Sequence, residues 1–305
     1  MSERARIDPA LGLDLVERRT LAGLPGASVA VVIPAHNEAA TVAEVVTDAH
    51  RAFAGLPITR HEVIVSASGC TDDTAAVSRA AGARVIEAAA GKGRAILAGV
   101  AATQADIICL IDGDLRYYGD EPLAASLLRP ILSGIADATI SDLYWRPLYP
   151  QLWLYGFFAP VVGRLFPEML PKAGNTPWSG QRAAVRALWP AELPHDFTSD
   201  LALLLHWNKH ALRLRPVIAD DWMNPQRPKP DLMHDELQVL WDAAVADERV
   251  DEAARGPLFA WYDEVHHLMA QYRPDSDDPQ AFERQILRQA TRALPAGLTS
   301  MSEHP

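Results

Sequence analysis

The stretch ADIICLIDGDLRYYG, residues 105–119, decides the architecture. Ile107 to Ile111 is an unbroken apolar run, which has the length and character of a strand buried on both faces. It leads straight into Asp112-Gly113-Asp114. Two carboxylates this close repel each other unless a cation or a proton sits between them. Mg²⁺ or Mn²⁺ takes oxygen ligands, commonly one or two carboxylates plus substrate phosphates. Gly113 lets the backbone approach a ligand closely. Acidic pairs also end many strands as solvated turns, so the pair alone leaves a metal site and a plain turn both open.

Outward from this stretch, strands and helices alternate. Val29–Ile33 reads as a buried strand ended by Pro34. From about Glu38, Val42, Val45, Val46 and Ala49 fall at helical spacing. Glu62–Ser66 is a second strand, after which Thr71-Asp72-Asp73-Thr74 opens a helix with Thr71 or Asp72 at its cap. Val85-Ile86 is a short third strand, and a helix runs from Lys92 through Val100. Such alternation implies an α/β fold, a parallel sheet covered on both faces, with ligands bound beyond the carboxyl ends of the strands. Further on, the spacing predicts a helix over 121–134, a strand over Ala138–Leu143, helices over 181–189 and 198–210, and a mostly helical tail from about 232 to 293.

Composition narrows the function classes. The 305 residues carry 28 Lys and Arg against 39 Asp and Glu, a net charge of −11, which argues against a general nucleic-acid binder. The two cysteines, Cys70 and Cys109, offer no disulfide framework and suit a reducing cytosol. MSERARIDPALGLDLVERRT lacks the apolar run of a signal peptide. No stretch reaches the ~18 uninterrupted apolar residues of a membrane helix. LWLYGFFAPVVGRLF at 152–166 is broken by Pro160 and Arg164 and reads as core or interface. The expectation is a cytoplasmic protein without a transmembrane segment.

Several loops fall on the same sheet edge as Asp112: VVIPAHNEAATV, VSASGCTDDT and AGKGRAILAGV. As an ordered set, P-A-x-N-E, S-G-x-T-D-D-T, G-K-G-x-A and D-x-D resemble the nucleotide-sugar glycosyltransferases of the GT-A fold. Within these the set is most similar to glucosyl-3-phosphoglycerate synthases, and more distantly to family-two transferases and mannosylglycerate synthase. The resemblance covers residues 29–115 well and continues faintly to about 240. It implies a GT-A (Rossmann-like), mostly parallel sheet over 28–230, with a nucleotide half to residue 120 and a sugar and acceptor half after it. Residues 1–27 would be a lead-in and 231–305 a helical extension.

The resemblance also implies roles. Pro34, Ala35 and Glu38 would wall the uridine, and Ser68 and Gly69 would touch base or ribose. Lys92 would meet the diphosphate. Asp112, Gly113 and Asp114 would serve the ribose and a Mg²⁺ or Mn²⁺ ion. Downstream, NTPWSGQRAAVRALW resembles an L-G-G-E-Y-A-A loop lining sugar and acceptor, with Trp178, Ser179, Gly180 and Gln181 as candidates. Asp200 stands where these enzymes carry an acidic residue, which acts as general base for the acceptor hydroxyl in inverting enzymes. In retaining enzymes that residue binds the donor sugar or stabilises the transition state; retention follows from the nearest resemblance. Arg146, Lys172 and Arg182 are candidate cations for an anionic acceptor.

There are departures from the pattern. Ala67 replaces an Asp usual before the S-G pair, and no histidine aligns as a third metal ligand, leaving Asp221, Asn224 or His234. His206 with His210, and His266 with His267, lack the glutamate of a zinc-protease motif and read as exposed or partly packed. The expected activity is transfer of a hexose from a nucleoside diphosphate sugar to a small hydroxylated acceptor such as a phosphoglycerate. Two rivals stay open, a nucleotidyltransferase and a non-catalytic nucleotide-sugar binder. The first would show a Gly-rich initial loop with an arginine, which PAHNE does not supply. The apolar face around Leu237, Leu240, Trp241, Leu258 and Trp261 either packs on the same chain or forms a homodimer.

Overall fold

The computed structural model describes residues 7–8, 13–14, 24, 26–117, 121–142, 153–174, 176–218, 222–223, 230–271 and 278–290. In chain order the main elements are β1 (Ser28–Ala35), α1 (Val42–Ala52), β2 (Arg60–Ser68), α2 (Thr74–Ala80), β3 (Arg84–Ala88), α3 (Lys92–Ala101) and β4 (Ile107–Leu110). There follow α4 (Leu123–Leu132), β5 (Ala138–Asp142), α5 (Ala159–Leu165), β6 (Arg182–Val185), α6 (Ser199–His210) and β7 (Leu214–Ile218). Three helices close the sequence: α7 (Pro230–Ala246), α8 (Arg255–Ala270) and α9 (Pro279–Ala290).

One seven-stranded sheet has the order β7-β5-β6-β4-β1-β2-β3. All neighbours pair in parallel except β6, which runs antiparallel to both β4 and β5. The central strands are apolar throughout: Val29 to Ile33 and Ile107 to Cys109 are wholly buried. This is the expected signature of strands covered on both faces. α1 turns Val42, Val45, Val46, Ala49 and Ala52 inward. α3 lies so close to β1 that a Cβ on Gly99 would sit 2.2 Å from Val32 Cγ1.

Two elements differ from their sequence expectation. The first helix starts at Val42 rather than near Glu38, because residues 36–41 are bound to the β2–α2 loop instead of winding into a helix. Asn37 takes a positive φ of 59°, and its Oδ1 accepts from the Thr71 N–H at 2.8 Å. The stretch 181–189 is not a helix. Arg182–Val185 is a strand and Arg186–Leu188 a single 3₁₀ turn. Small apolar Ala183 and Ala184, both fully buried, fit the narrow slot between β4 and β5. The ladder bonds on both sides override the helical preference of alanine.

The chain divides into two compact units. The first, Met1–Asp142 with Pro177–Pro225, holds the sheet. The second, Leu143–Thr176 with Gln226–Pro305, is helical among its described residues. In it Phe157, Phe158, Val161 and Val162 are fully buried, so the described part of the 152–166 stretch contributes to the core. Leu237, Leu240, Trp241, Leu258 and Trp261 are likewise buried within the chain. No helix among the described residues is long and apolar enough to cross a membrane. Both cysteines are free thiols; burial pushes that of Cys109 up from its ordinary value.

Candidate active site

The carboxyl ends of β1, β2 and β4, the N-termini of α3 and α6, and the loop entering β6 converge at one edge of the sheet. Register explains part of this: Pro34 and Ala35 pair with Ser66 and Ala67, while Val32 pairs with Leu110. The end of β4 is tied to β1 by Gly113 N–H donating to the Pro34 carbonyl at 3.3 Å. Thr41 Oγ1 donates to the Gly113 carbonyl at 2.8 Å. The Asp112 turn is thereby held from two directions.

Asp112 is the most tightly braced group. Its N–H donates to Gln181 Oε1 at 2.8 Å, and Gln181 Nε2 donates back to Asp112 Oδ2 at 2.8 Å. Gln181 is wholly buried, with its own N–H donating to Ser179 Oγ at 3.1 Å. Ser179 Oγ in turn lies 2.6 Å from Ser141 Oγ at the end of β5. Gly180 must be glycine for contact reasons: a Cβ there would fall 2.1 Å from Asp112 Oδ2. Because Gln181 holds that oxygen, it cannot swing away. Gly180→Ala is therefore expected to displace Asp112 and to cost about a hundredfold in turnover, the usual scale for ångström-level misplacement. A kcat within a few-fold of wild type, measured beside an unchanged melting temperature, would show that the carboxylate position is not critical.

Lys92 opens α3 and lies between two carboxylates. Its Nζ is 2.7 Å from Asp200 Oδ2 and 3.1 Å from Asp112 Oδ1. Burial alone would lower its pKa, but Asp112 and Asp200 outweigh it and hold the ammonium above its ordinary value. Its contribution to stability is thus present throughout the neutral range and lost only as pH rises through that elevated value. The N-terminus of α3 is closed by the loop before α6: Gly93 N–H donates to the His195 carbonyl at 3.2 Å. A Cβ on Gly93 would meet the Pro194 carbonyl oxygen at 1.8 Å. Asp196 then accepts from Thr198 N–H and Oγ1 at 2.9 and 2.6 Å, fixing the turn that delivers Asp200.

Arg182, considered above as an acceptor cation, is instead wholly buried. Its Nε donates to the Ser179 carbonyl at 2.9 Å and its Nη1 to the Asp200 carbonyl at 2.9 Å. A second bond joins Nη2 to the Ser179 carbonyl. The sequence hid this role; the signal was a cation heading the small apolar run RAAV, whose first three residues are buried.

At the end of β2, Ser68 is buried and its hydroxyl donates to the Ala89 carbonyl at 2.7 Å, so it shapes the loop from within. His36, exposed, places Nδ1 2.6 Å from the Ser68 carbonyl. Asp72 accepts from the N–H of both Thr74 and Ala39, and Thr74 Oγ1 accepts from Glu38 N–H at 2.7 Å. The T-D-D-T segment thus staples two loops together. Asp72 itself is held below the usual carboxylate range, chiefly by the Thr74 hydroxyl. Glu38 is raised, first by burial and then by Asp114. Ala67, buried, pairs with Ala35 and Glu87.

Asp112 and Asp114 offer hard oxygen donors, which suit Mg²⁺ or Mn²⁺ rather than a thiolate-loving metal. Asp114, Asp72 and Asp112 each add to the burial that raises Glu38, so negative charge gathers there. Among the described residues no group of three or more acidic, histidine or cysteine side chains could hold a metal by itself. The donor pair fits an ion that takes further oxygens from a phosphate ligand. Trp178 is half-buried in the loop before β6. Arg146, Asp221 and Asn224 lie outside the described residues. His234 is on α7 in the helical unit, its ring edge-on to Phe259 and Tyr262, and Lys172 is half-buried in the same unit. His206 is half-buried with its ring 4.5 Å from the exposed His210; burial and then His210 lower its pKa.

Comparison with known proteins agrees with this geometry. Residues 30–155 match the model of glycosyl transferase family 2. Glucosyl-3-phosphoglycerate synthase of Mycobacterium tuberculosis is 34% identical over 183 residues, covering 53% of this chain and 55% of that enzyme. The chain thus spans about half the length of the curated relatives it matches. Glycosyltransferase AglJ of Haloferax volcanii is 32% identical over 120 residues, 38% of this chain and 36% of that protein. The crystal structure of the Mycobacterium tuberculosis synthase with Mn²⁺, UDP and glucosyl-3-phosphoglycerate superposes with a TM-score of 0.61 at 28% identity, covering 72% of this chain and 80% of that one. Its complex with Mn²⁺, UDP-glucose and phosphoglyceric acid gives 0.60 over the same shares. Residues 30–155 are therefore similar to glycosyl transferase family 2, and the sheet that carries them has the GT-A fold of the synthase structures.

Proposed function

We propose that the protein transfers glucose from UDP-glucose to a small anionic acceptor of the phosphoglycerate class. The observation that carries this reading is Lys92 held between Asp112 and Asp200, which joins the diphosphate and sugar sides of the site at one ammonium. Pro34, Ala35, Glu38 and Gly69 wall the uridine, with Ser68 shaping the loop beneath it. Asp112 and Asp114 hold the cation, and Gly113 permits the close approach. A bound Mg²⁺ or Mn²⁺ supplies positive charge to the diphosphate as it leaves. Lys92 donates to the diphosphate oxygens from the opposite side, where charge develops. Asp200 faces the sugar, with Trp178, Ser179, Gly180 and Gln181 forming the loop behind it. In the reaction an acceptor oxygen bonds to the anomeric carbon, the bond from that carbon to the β-phosphate oxygen breaks, and UDP departs. The acceptor proton leaves with solvent or the departing phosphate, and the anomeric configuration is retained.

The acceptor anion falls to Arg146, with Lys172 as the alternative cation, and Asp221, Asn224 or His234 completes the metal shell. The reading also includes division at about residues 28, 120 and 230, a cytoplasmic location and a homodimer through the helical unit. Since the five apolar residues of α7 and α8 are buried, that contact would use exposed positions such as Leu287.

The test is UDP release from a panel of UDP-sugars with Mn²⁺, with and without 3-phosphoglycerate and glycerol 3-phosphate. Acceptor-dependent release from UDP-glucose is expected. Binding of UDP-glucose without turnover on any acceptor would favour a non-catalytic binder instead.

A further inference from the structure

We propose that Gln181 and Arg182 are positioning residues that free Lys92 for an incoming diphosphate: Gln181 fixes Asp112, and Arg182 gives Asp200 a standing counter-ion. The inference rests on reading the site as one for a nucleoside diphosphate. Five side chains form a closed ring: Gln181 to Asp112, Asp112 to Lys92, Lys92 to Asp200, Asp200 to Arg182, which adjoins Gln181 in sequence. Two carboxylates and two cations balance, and Gln181 adds no charge.

The ring is not equally mobile around its circuit. Lys92 is an ammonium on a flexible stem at the site edge. Arg182 is pinned by both Nε and Nη2 on the Ser179 carbonyl, with its guanidinium 5.8 Å from the Trp207 ring centre. To donate to a diphosphate, Lys92 must loosen its hold on at least one carboxylate. Asp112 then keeps Gln181 Nε2. Asp200 keeps Arg182, whose Nη2 is 3.8 Å from Oδ1, an oxygen with no hydrogen-bond partner among the described residues. A shift of under an ångström converts that approach into a bond. Without Arg182, the departure of Lys92 would strand a buried charge, a heavy penalty, so Lys92 would remain on Asp200 and bind the diphosphate poorly.

The experiment is calorimetric titration of UDP with Mn²⁺ into the full chain. Arg182→Met is expected to weaken UDP about tenfold, since ~1.4 kcal/mol of competition corresponds to that factor. Asp200→Asn, which removes the competitor, is expected to bind UDP at least as tightly as wild type. The double variant should return to within about threefold of wild type, the coupling that a mutant cycle isolates. A merely structural Arg182 would lower the melting temperature without rescue by Asp200→Asn. Unchanged affinity in Arg182→Met, or a loss that the second change does not restore, overturns the proposal. Should Arg182→Met not fold, Arg182→Lys decides: affinity within about threefold of wild type supports the charge role, and a tenfold loss overturns it. Wild-type protein that takes up no UDP overturns the nucleotide reading itself, a result no variant can imitate.

Discussion

Asp114→Ala is expected to lose at least about a thousandfold in kcat/KM for UDP-glucose, ~4 kcal/mol of transition-state stabilisation. The argument starts from charge. Asp112 has both side-chain oxygens engaged, by Gln181 and Lys92, so the cation depends on Asp114 for a second firm donor. The effect should show in the metal response: the UDP affinity of the variant should no longer rise with Mn²⁺. Full turnover in Asp114→Ala would remove the metal from the proposed reaction.

Lys92→Met is expected to damage both activity and stability. Its ammonium separates two largely buried carboxylates, and among the described residues Asp200 then keeps Arg182 as its nearby cation. Because Gln181 stays on Asp112 and Arg182 by Asp200, the loss is that of charge-assisted hydrogen bonds and not of a stranded charge, about 2 kcal/mol. Activity should fall by about a thousandfold, because a preorganised donor to the developing diphosphate charge is gone. An unfolding free energy equal to that of wild type would mean that Asp112 and Asp200 do not depend on Lys92.

The nucleotide half was legible because its signals are local. Runs ending in Pro34, Ser66 and Asp112 mark strand tips, and in a parallel sheet all strand tips share an edge. The start of α3 at Lys92 followed from helical spacing in the same way. The β6 strand was not legible, since Arg182–Val185 has neither strand length nor alternation. Its conformation is set by partners about seventy and forty residues earlier. The ring around Lys92 was hidden for the same reason: Asp200 was visible as a carboxylate in a first helical turn, but the 2.7 Å contact with Lys92 spans 108 residues. The staple by Asp72 was half visible, as a capping sequence without a hint that it also grips Ala39.

The antiparallel insertion of β6 bears on how the molecule is made. Until residues 182–185 leave the ribosome, the growing polypeptide has β4, all apolar, bordered on one side only, and β5 without its link to the rest of the sheet. A nascent chain at that stage presents a bare, sticky flank, the kind that recruits chaperones or seeds inclusion bodies. Recombinant fragments ending near residue 142 should behave as such intermediates do, whereas products extending past β7 close the gap.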